Sequence, residues 1–267
     1  MLKVAVIGAA GRMGRRLTAN ITAAEDMTLS GAVEISVCPL LGQDAGVIAG
    51  IGETGIKLTD DIASAVKDAD AIIDFSTGDV AKTAQTAIAN GSAVIIGTTA
   101  LPKEQRTELE KLAGKGGRIV LASNMSVGVN LLFHMCKEVA GILGEDYDIE
   151  IVEMHHNQKK DAPSGTAVSL GEAVCEGRGL EYDKAVVHGR EGMVGARTKN
   201  EVGMHAVRGG DVVGDHTVIF ATGGERIELT HKASSRDTFA KGALRAVRFL
   251  STVSPGLYNM QDVLKLK

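Results

Sequence analysis

The chain has 267 residues, enough for one large domain or two modest ones, and 44% of them are hydrophobic. A net charge of -4 and the lack of a Lys/Arg tract argue against a general nucleic-acid binder. Three widely spaced cysteines favour reduced thiols in a cytoplasmic protein, and we expect neither a signal peptide nor a run near the roughly 18 apolar residues of a membrane helix.

The first elements are typical of a nucleotide-binding strand, loop and helix. Residues 2–7 are an apolar run that predicts a buried strand, the segment Gly8-Ala9-Ala10-Gly11-Arg12-Met13-Gly14 follows at once, and residues 15–24 predict a helix. The spacing G-x-x-G-x-x-G is a variant of the dinucleotide fingerprint, in which glycines permit a tight turn and close approach of the backbone to a pyrophosphate.

An acidic residue follows at the expected place. Residues 28–33 predict the second strand, and Glu34 ends it, 20 residues after Gly14. A carboxylate there accepts hydrogen bonds from a ribose, whereas the alternative is a surface glutamate at a strand end. Strand, glycine loop, helix and Glu34 together favour nucleotide binding.

The rest of the first half alternates strands and helices. Residues 36–55 are rich in glycine and predict a loop. The predicted strands are 71–76, 93–96 and 118–121, and the predicted helices are 60–66, 79–90 and 104–114. This alternation predicts a parallel sheet with helices on both faces, with small and polar residues at the carboxyl ends of its strands, where such sheets bind ligands.

The second half predicts a smaller α+β domain with a mixed or antiparallel sheet. The predicted elements are a helix at 128–144, a strand at 148–154, short strand-like pieces within 188–214, a hairpin of 216–221 with 225–231, and a helix that ends at Leu250. Four of the histidines outside the loop that follows residue 154 have no informative spacing, so we interpret them as core or surface residues: His134, His188, His205 and His216.

The segment 153–167 holds most of the chemistry of the chain. It reads Glu-Met-His-His-Asn-Gln-Lys-Lys-Asp-Ala-Pro-Ser-Gly-Thr-Ala and joins a strand to a helix that starts near Ser164. A helix N-terminus offers N–H groups to a carboxylate or phosphate. The pattern predicts a pocket for a small anion with proton donors beside it; the alternative is a solvated basic loop before an ordinary capped helix. We predict no metal site, because two adjacent histidines lack a third ligand at suitable spacing.

This segment resembles the signature of the dihydrodipicolinate (4-hydroxy-tetrahydrodipicolinate) reductases, and the resemblance extends over nearly the whole chain, to residues 256–264. It implies NAD(P)H-dependent reduction of 4-hydroxy-tetrahydrodipicolinate to tetrahydrodipicolinate in diaminopimelate and lysine biosynthesis. It also implies a discontinuous Rossmann-type domain over 1–126 and 236–267, a substrate-binding and oligomerisation domain over 127–235, and a homotetramer.

The resemblance implies roles for individual residues. His155 is expected to donate a proton and Lys159 to bind and polarise the substrate, whose carboxylates would contact His156, Ser164, Gly165 and Thr166. The expected cofactor residues are Gly8, Ala9, Ala10, Gly11, Arg12 and Met13 at the pyrophosphate, Glu34 at the adenosine ribose, and Gly97, Thr98, Thr99, Ala122, Ser123, Asn124 and Met125 at the nicotinamide half. Arg236 is either structural or borders the site.

The cofactor preference and two rival functions stay open at this point. In the family the residue after the ribose-binding Glu can be an Arg that accepts a 2′-phosphate, but here it is Ile35. We therefore expect NADH to be preferred, with NADPH as a second cofactor that Arg12 could serve. The rivals are a two-domain dehydrogenase acting on aspartate or a sugar, and an NAD-sensing regulator that would keep Glu34 but not the 153–167 signature.

Overall fold

The computed structural model describes residues 1–98 and 101–266, which form two compact units: Met1–Val127 with Arg236–Lys265, and Gly128–Ser235. The strands are β1 (Leu2–Ile7), β2 (Met27–Val33), β3 (Leu58–Thr59), β4 (Ala71–Asp74), β5 (Ala93–Ile96), β6 (Arg118–Leu121), β7 (Asp148–His155), β8 (Val186–His188), β9 (Val202–Arg208), β10 (Gly214–Thr222), β11 (Glu225–Ala233) and β12 (Gly256–Tyr258). The helices are α1 (Arg12–Thr22), α2 (Ala45–Ala49), α3 (Ile62–Val66), α4 (Val80–Ala89), α5 (Lys103–Gly114), α6 (Val127–Leu143), α7 (Gly165–Arg178), α8 (Tyr182–Ala185), α9 (Asp237–Leu250) and α10 (Met260–Leu264).

The first unit is a doubly wound parallel sheet with strand order β12-β6-β5-β4-β1-β2-β3. Its strands are continuous apolar runs because helices cover both faces: Val4 and Val6 of β1 pack towards α1, α9 and α10, and Ala5 and Ile7 towards α3, α4 and α5. The strand order reverses between β1 and β4, which opens a crevice at the carboxyl edge of the sheet.

The second unit is a mixed sheet with order β11-β10-β7-β9-β8, in which β7 pairs antiparallel with β10 and parallel with β9. Helices α6 and α7 cover one face, where Ile149, Ile151 and Phe220 are fully buried. The predicted fold class, a Rossmann-type parallel sheet with a smaller α+β domain, is therefore confirmed.

Short elements depart from the sequence prediction. The segment 36–55 is not all loop, because α2 forms within it, with Asp44 accepting hydrogen bonds from the N–H groups of Gly46 and Val47. The elements β3, α8, β12 and α10 were not predicted either. Elements of two to five residues are too short to show a hydrophobic period.

Among the described residues, α6 comes nearest to a membrane helix in length and composition, although Asn130, His134, Lys137 and Glu138 interrupt its apolar residues. Residues 127–146 form a helical segment of 20 residues with a mean hydropathy of 1.2, long and apolar enough to cross a membrane. Leu132, Cys136 and Ala140 on this helix are nevertheless buried against the sheet of the second unit. A helix that packs into a protein core can have the same length and composition.

Candidate active site

The conformation of the loop between β1 and α1 requires glycine at two positions. Gly8 adopts a left-handed conformation (φ 75°), and its N–H donates to the carbonyl of Val33 at 2.9 Å. A Cβ on Gly14 would lie 2.1 Å from the Gly8 carbonyl oxygen. Gly11 is the N-cap of α1 and has no side chain with which to cap it, so the first N–H groups of this helix stay available to an anion.

A cavity of about 620 Å³ opens beside this loop, and Gly8, Gly11 and Glu34 line it. The two carboxylate oxygens of Glu34 accept hydrogen bonds from the N–H groups of Ala10 and Ile35, each at 3.1 Å. These bonds hold the carboxylate next to the glycine loop. The cavity also contains residues that the motif did not predict, at the end of β4 and the start of α4: Phe75, Ser76, Thr77, Gly78, Asp79, Lys82 and Thr83.

The residues predicted for the nicotinamide half follow β5 and β6, two neighbouring strands of the same sheet. A Cβ on Gly97 would lie 2.2 Å from the Phe75 ring, and the Thr98 hydroxyl donates to the Ser76 carbonyl at 2.9 Å. Ala122 donates to the Ile96 carbonyl at 3.1 Å.

Three other predicted cofactor residues differ in what they offer a ligand. Met125 is only 1% exposed, and its carbonyl oxygen packs against Gly242 of α9, where a Cβ would lie 1.7 Å from it. Arg12 is exposed and is not among the described residues that line the cavity. Thr99 lies outside the described residues.

These features fit a dinucleotide. A pyrophosphate requires a glycine loop that its oxygens can approach closely and an open helix N-terminus. The adjacent ribose requires a carboxylate at the end of the second strand.

In the second unit, the last residues of β7 place charged groups in the interior. Alternation along the strand puts Glu153 and His155 on the same face as Ile149 and Ile151. Glu153 is fully buried and His155 is 8% exposed. A carboxylate at such a position must be paired and hydrogen-bonded.

Four hydrogen bonds converge on the two oxygens of Glu153. Oε1 accepts from the Ser164 backbone N–H at 2.9 Å and from Arg208 Nη2 at 2.9 Å, while Oε2 accepts from Arg208 Nη1 at 2.7 Å and from His155 Nδ1 at 2.6 Å. Burial raises the pKa of Glu153, but the bonds from His155, Arg208 and Ser164 outweigh it and hold the pKa at about 2. Glu153 is therefore ionised at neutral pH.

An ionised carboxylate only accepts hydrogen bonds, so Nδ1 of His155 carries a proton. Nε2 is then the nitrogen that can exchange a proton with a ligand. Gly214 leaves space beside this atom, since a Cβ there would lie 2.9 Å from Nε2. The geometry thus assigns different tasks to the two ring nitrogens.

Ser164 links the helix start to a second imidazole. Its hydroxyl accepts from the Ala167 N–H at 3.2 Å and shares a hydrogen bond with Nε2 of His216 at 3.1 Å. The His216 and His155 rings are 5.2 Å apart in an edge-to-face arrangement. Burial, reinforced by the proximity of His155, lowers the pKa of His216 to about 3, so His216 is neutral at physiological pH.

The loop after β7 carries two further predicted site residues, His156 and Lys159. Nδ1 of His156 accepts from the Gln158 N–H at 3.2 Å, which leaves Nε2 to donate. Lys159 Nζ lies 2.8 and 3.0 Å from the two carboxylate oxygens of Asp161, whereas Lys160 is exposed. Arg208 also donates to the Asp161 carbonyl at 2.8 Å and so ties the loop to Glu153.

The structure brings His155 and Ser164 together through Glu153, and it adds residues that the sequence did not single out. Arg208 and His216 come from β9 and β10, and nothing in their spacing indicated contact with β7. His216 is a core residue, as interpreted, but it also bonds to the cap of α7. Glu153 could have been found, because it interrupts the apolar face of a strand that ends in His155. Arg236 is the N-cap of α9, in the first unit.

Comparison with known proteins identifies the family. Residues 2–125 match the model for the N-terminus of dihydrodipicolinate reductase and residues 128–264 match the model for its C-terminus. The chain belongs to the dihydrodipicolinate reductase family. It is 52% identical to the 4-hydroxy-tetrahydrodipicolinate reductase of Geotalea daltonii and 50% identical to that of Syntrophotalea carbinolica, over 100% of both chains in each case.

Solved structures share the fold. The dipicolinate-bound dihydrodipicolinate reductase from Paenisporosarcina sp. TG-14 has a TM-score of 0.78 at 23% identity and covers 98% of each chain. The myo-inositol 2-dehydrogenase from Lactobacillus plantarum has a TM-score of 0.60 at 11% identity and covers 99% of this chain and 94% of its own. The fold is thus shared with a myo-inositol dehydrogenase, and family membership distinguishes this chain from it.

Proposed function

We propose that the chain catalyses the NAD(P)H-dependent reduction of 4-hydroxy-tetrahydrodipicolinate to tetrahydrodipicolinate, the reaction that supplies diaminopimelate and lysine. Full-length relatives at about half identity carry the name of this reductase. The observation that carries the proposal is the cluster of Glu153, His155 and Ser164, which combines a proton donor with the start of a helix. A reductase of a small dicarboxylate needs both.

We assign the two ligands to different units. The cradle of Gly8, Gly11 and Gly14 with Glu34 would hold the dinucleotide, which supplies the hydride when bound. The amino end of α7, with Ser164, Gly165 and Thr166, would bind a substrate carboxylate through backbone N–H groups and hydroxyls. His156 and Lys159 would add donors on the same loop.

His155 would complete the reduction by giving a proton. Hydride addition to the conjugated imine of the dehydrated substrate leaves an electron-rich enamine, in which a carbon must be protonated. His155 donates from Nε2, because Nδ1 stays hydrogen-bonded to Glu153. Lys159 would bind and polarise the substrate through its positive charge.

We propose that NADH is the preferred cofactor and NADPH the weaker one. The charged side chains described in the cavity are the carboxylates of Glu34, Asp60 and Asp79 and the ammonium group of Lys82. A 2′-phosphate adds about two negative charges at neutral pH, which this surplus of carboxylates disfavours. Ile35 adds no positive charge beside Glu34.

We propose a homotetramer in the cytoplasm. The sheet face of the second unit that points away from α6 and α7 carries partly exposed apolar side chains, among them Val152, Met154, Val207 and Ile219. Such a face suits burial against another copy. Light scattering on the purified chain measures the assembly, and a monomeric mass would contradict this part of the proposal.

The decisive experiment follows NADH oxidation by the purified chain, with substrate made in situ from pyruvate and aspartate semialdehyde. Loss of NADH absorbance that depends on both precursors and on the chain is the expected result. Parallel reactions with aspartate and with myo-inositol plus NAD⁺ test the dehydrogenase rivals. Binding of NADH without any turnover would instead support a regulator.

A further inference from the structure

We propose that Glu153 is a positioning residue for this reaction: its carboxylate holds the His155 imidazole and the first residue before α7 in one geometry. The inference rests on the proposed function and assigns a task to a residue that does not itself face the substrate. Glu153 is fully buried, so its influence on the reaction passes through the groups that it contacts.

The carboxylate of Glu153 accepts more hydrogen bonds than an amide could. Four N–H groups, from His155, Ser164 and Arg208, point at two carboxylate oxygens at 2.6 to 2.9 Å. A glutamine has one acceptor oxygen and an NH₂ group that donates. In Glu153→Gln the NH₂ group would therefore face another donor, either His155 Nδ1–H or the Ser164 N–H.

The contacts of Glu153 fix the positions of two neighbouring groups. The bond from Nδ1 sets the tautomer and orientation of His155, so that Nε2 points towards Gly214, which has no Cβ to block it. The bond from the Ser164 N–H sets the residue that caps α7. One carboxylate therefore couples the proton donor to the helix start proposed to bind the substrate carboxylate.

The negative charge of Glu153 is balanced by Arg208. Arg208 forms a two-point ion pair with Glu153 and is 21% exposed, so it compensates the buried charge. Since His155 then needs no positive charge to balance Glu153, it can release its Nε2 proton and stay in place. Arg208 also bonds to the Asp161 carbonyl, which keeps the loop carrying Lys159 attached to the same cluster.

A matched control lies on the same strand. Glu150 forms a similar network with Arg190, Arg197 and His205, including a contact of 2.6 Å to a histidine nitrogen. It lies on the opposite face of β7, three residues before Glu153. Glu150→Gln therefore disrupts a half-buried charge network but leaves the contacts of His155 and α7 intact.

The experiment compares the wild-type chain, Glu153→Gln, His155→Gln, the double variant and Glu150→Gln. We expect Glu153→Gln to lower kcat on the order of 10²-fold, as for a misplaced general acid. In the His155→Gln background the same substitution should change kcat less than about threefold, because the group it positions is gone. Glu153→Gln should also weaken inhibition by dipicolinate in both backgrounds. Glu150→Gln should leave kcat within about twofold of the wild-type value.

Equal losses of kcat from Glu153→Gln in both backgrounds would overturn the inference, as would an equal loss from Glu150→Gln. If Glu153→Gln does not fold because Arg208 is left unpaired, the variant E153Q/R208Q removes both charges and replaces it in the cycle. Absence of turnover by the wild-type chain would count against the proposed function, while normal turnover by Glu153→Gln would count against the positioning role alone.

Discussion

Lys159 and Lys160 are adjacent and chemically identical, yet their surroundings differ. Lys159 is 19% exposed and paired with Asp161, while Lys160 is exposed to solvent. We expect Lys159→Ala to lower kcat and raise substrate KM, each by about tenfold or more, because a charged partner of the substrate is lost. Steady-state kinetics at saturating NADH measures both parameters.

Lys160→Ala is the internal control and should stay within about twofold of wild type. A damaging Lys160→Ala together with a mild Lys159→Ala would show that the roles in this loop are shifted by one residue.

We expect single residues to set the cofactor preference as well. Glu34→Ala should weaken NADH more than NADPH, because it removes a ribose acceptor and relieves repulsion of a 2′-phosphate. Ile35→Arg should shift the kcat/KM ratio towards NADPH by about tenfold, since Ile35 lines the cavity and is 61% exposed.

Val37→Arg adds the same charge at a residue that is 80% exposed and is not among the described residues lining the cavity. It should therefore leave the ratio unchanged. A wild-type kcat/KM at least about tenfold higher with NADPH would contradict the proposed preference.

At the scale of elements, the amino end of α7 is the part that we assign to a substrate carboxylate. Thr166→Ala should raise the Ki of dipicolinate and the substrate KM by about tenfold, because a hydrogen bond to a charged group is worth about 1.5–3 kcal/mol. NADH affinity should be nearly unchanged. Inhibition kinetics and NADH fluorescence titration measure the two effects.

Ser169→Ala, which removes a hydroxyl one turn further along α7, is the control and should alter neither constant. If Thr166→Ala weakened NADH and dipicolinate equally, the assignment of the two ligands to different units would be wrong.

The long elements were predicted from the sequence, and the short ones were not. Long apolar runs and helical periods predicted the parallel sheet and its helices, because those elements must bury a whole face. The short elements α2 and β3 had no period to detect. The sequence indicates the local part of the candidate site, from His155 to Ser164, but Arg208 and His216 are more than 50 residues away along the chain from Glu153 and Ser164. The register of β9 and β10 against β7 is set by tertiary packing, so these contacts could not be predicted.

At the scale of the whole molecule, the groups that make stability depend on acidity include the buried His216 and Glu153 and the half-buried Glu150. The pKa of His216 is lowered to about 3, mainly by burial. The pKa values of Glu150 and Glu153 are about 2, because hydrogen bonds from cationic neighbours outweigh their burial. In each case the unfolded chain binds a proton at a pH where the folded chain does not, so the free energy of unfolding falls as pH falls. The contribution of His216 is lost first, below about pH 6.5, and those of the carboxylates below about pH 4.5.

We therefore predict that between about pH 7 and about pH 5 the melting temperature of the chain falls, and that His216→Gln reduces this fall. The histidine contributes at most about 1.4 kcal/mol for each pH unit below its unfolded pKa, so the variant should lose a measurable part of the slope. Gln keeps a polar atom near the Ser164 hydroxyl but cannot take up a proton. His188→Gln, at an exposed histidine on β8, should keep the wild-type slope. Thermal unfolding followed by circular dichroism across this range measures both variants, and identical slopes for His216→Gln and the wild-type chain would show that the neutral His216 is not what makes the fold sensitive to mild acid.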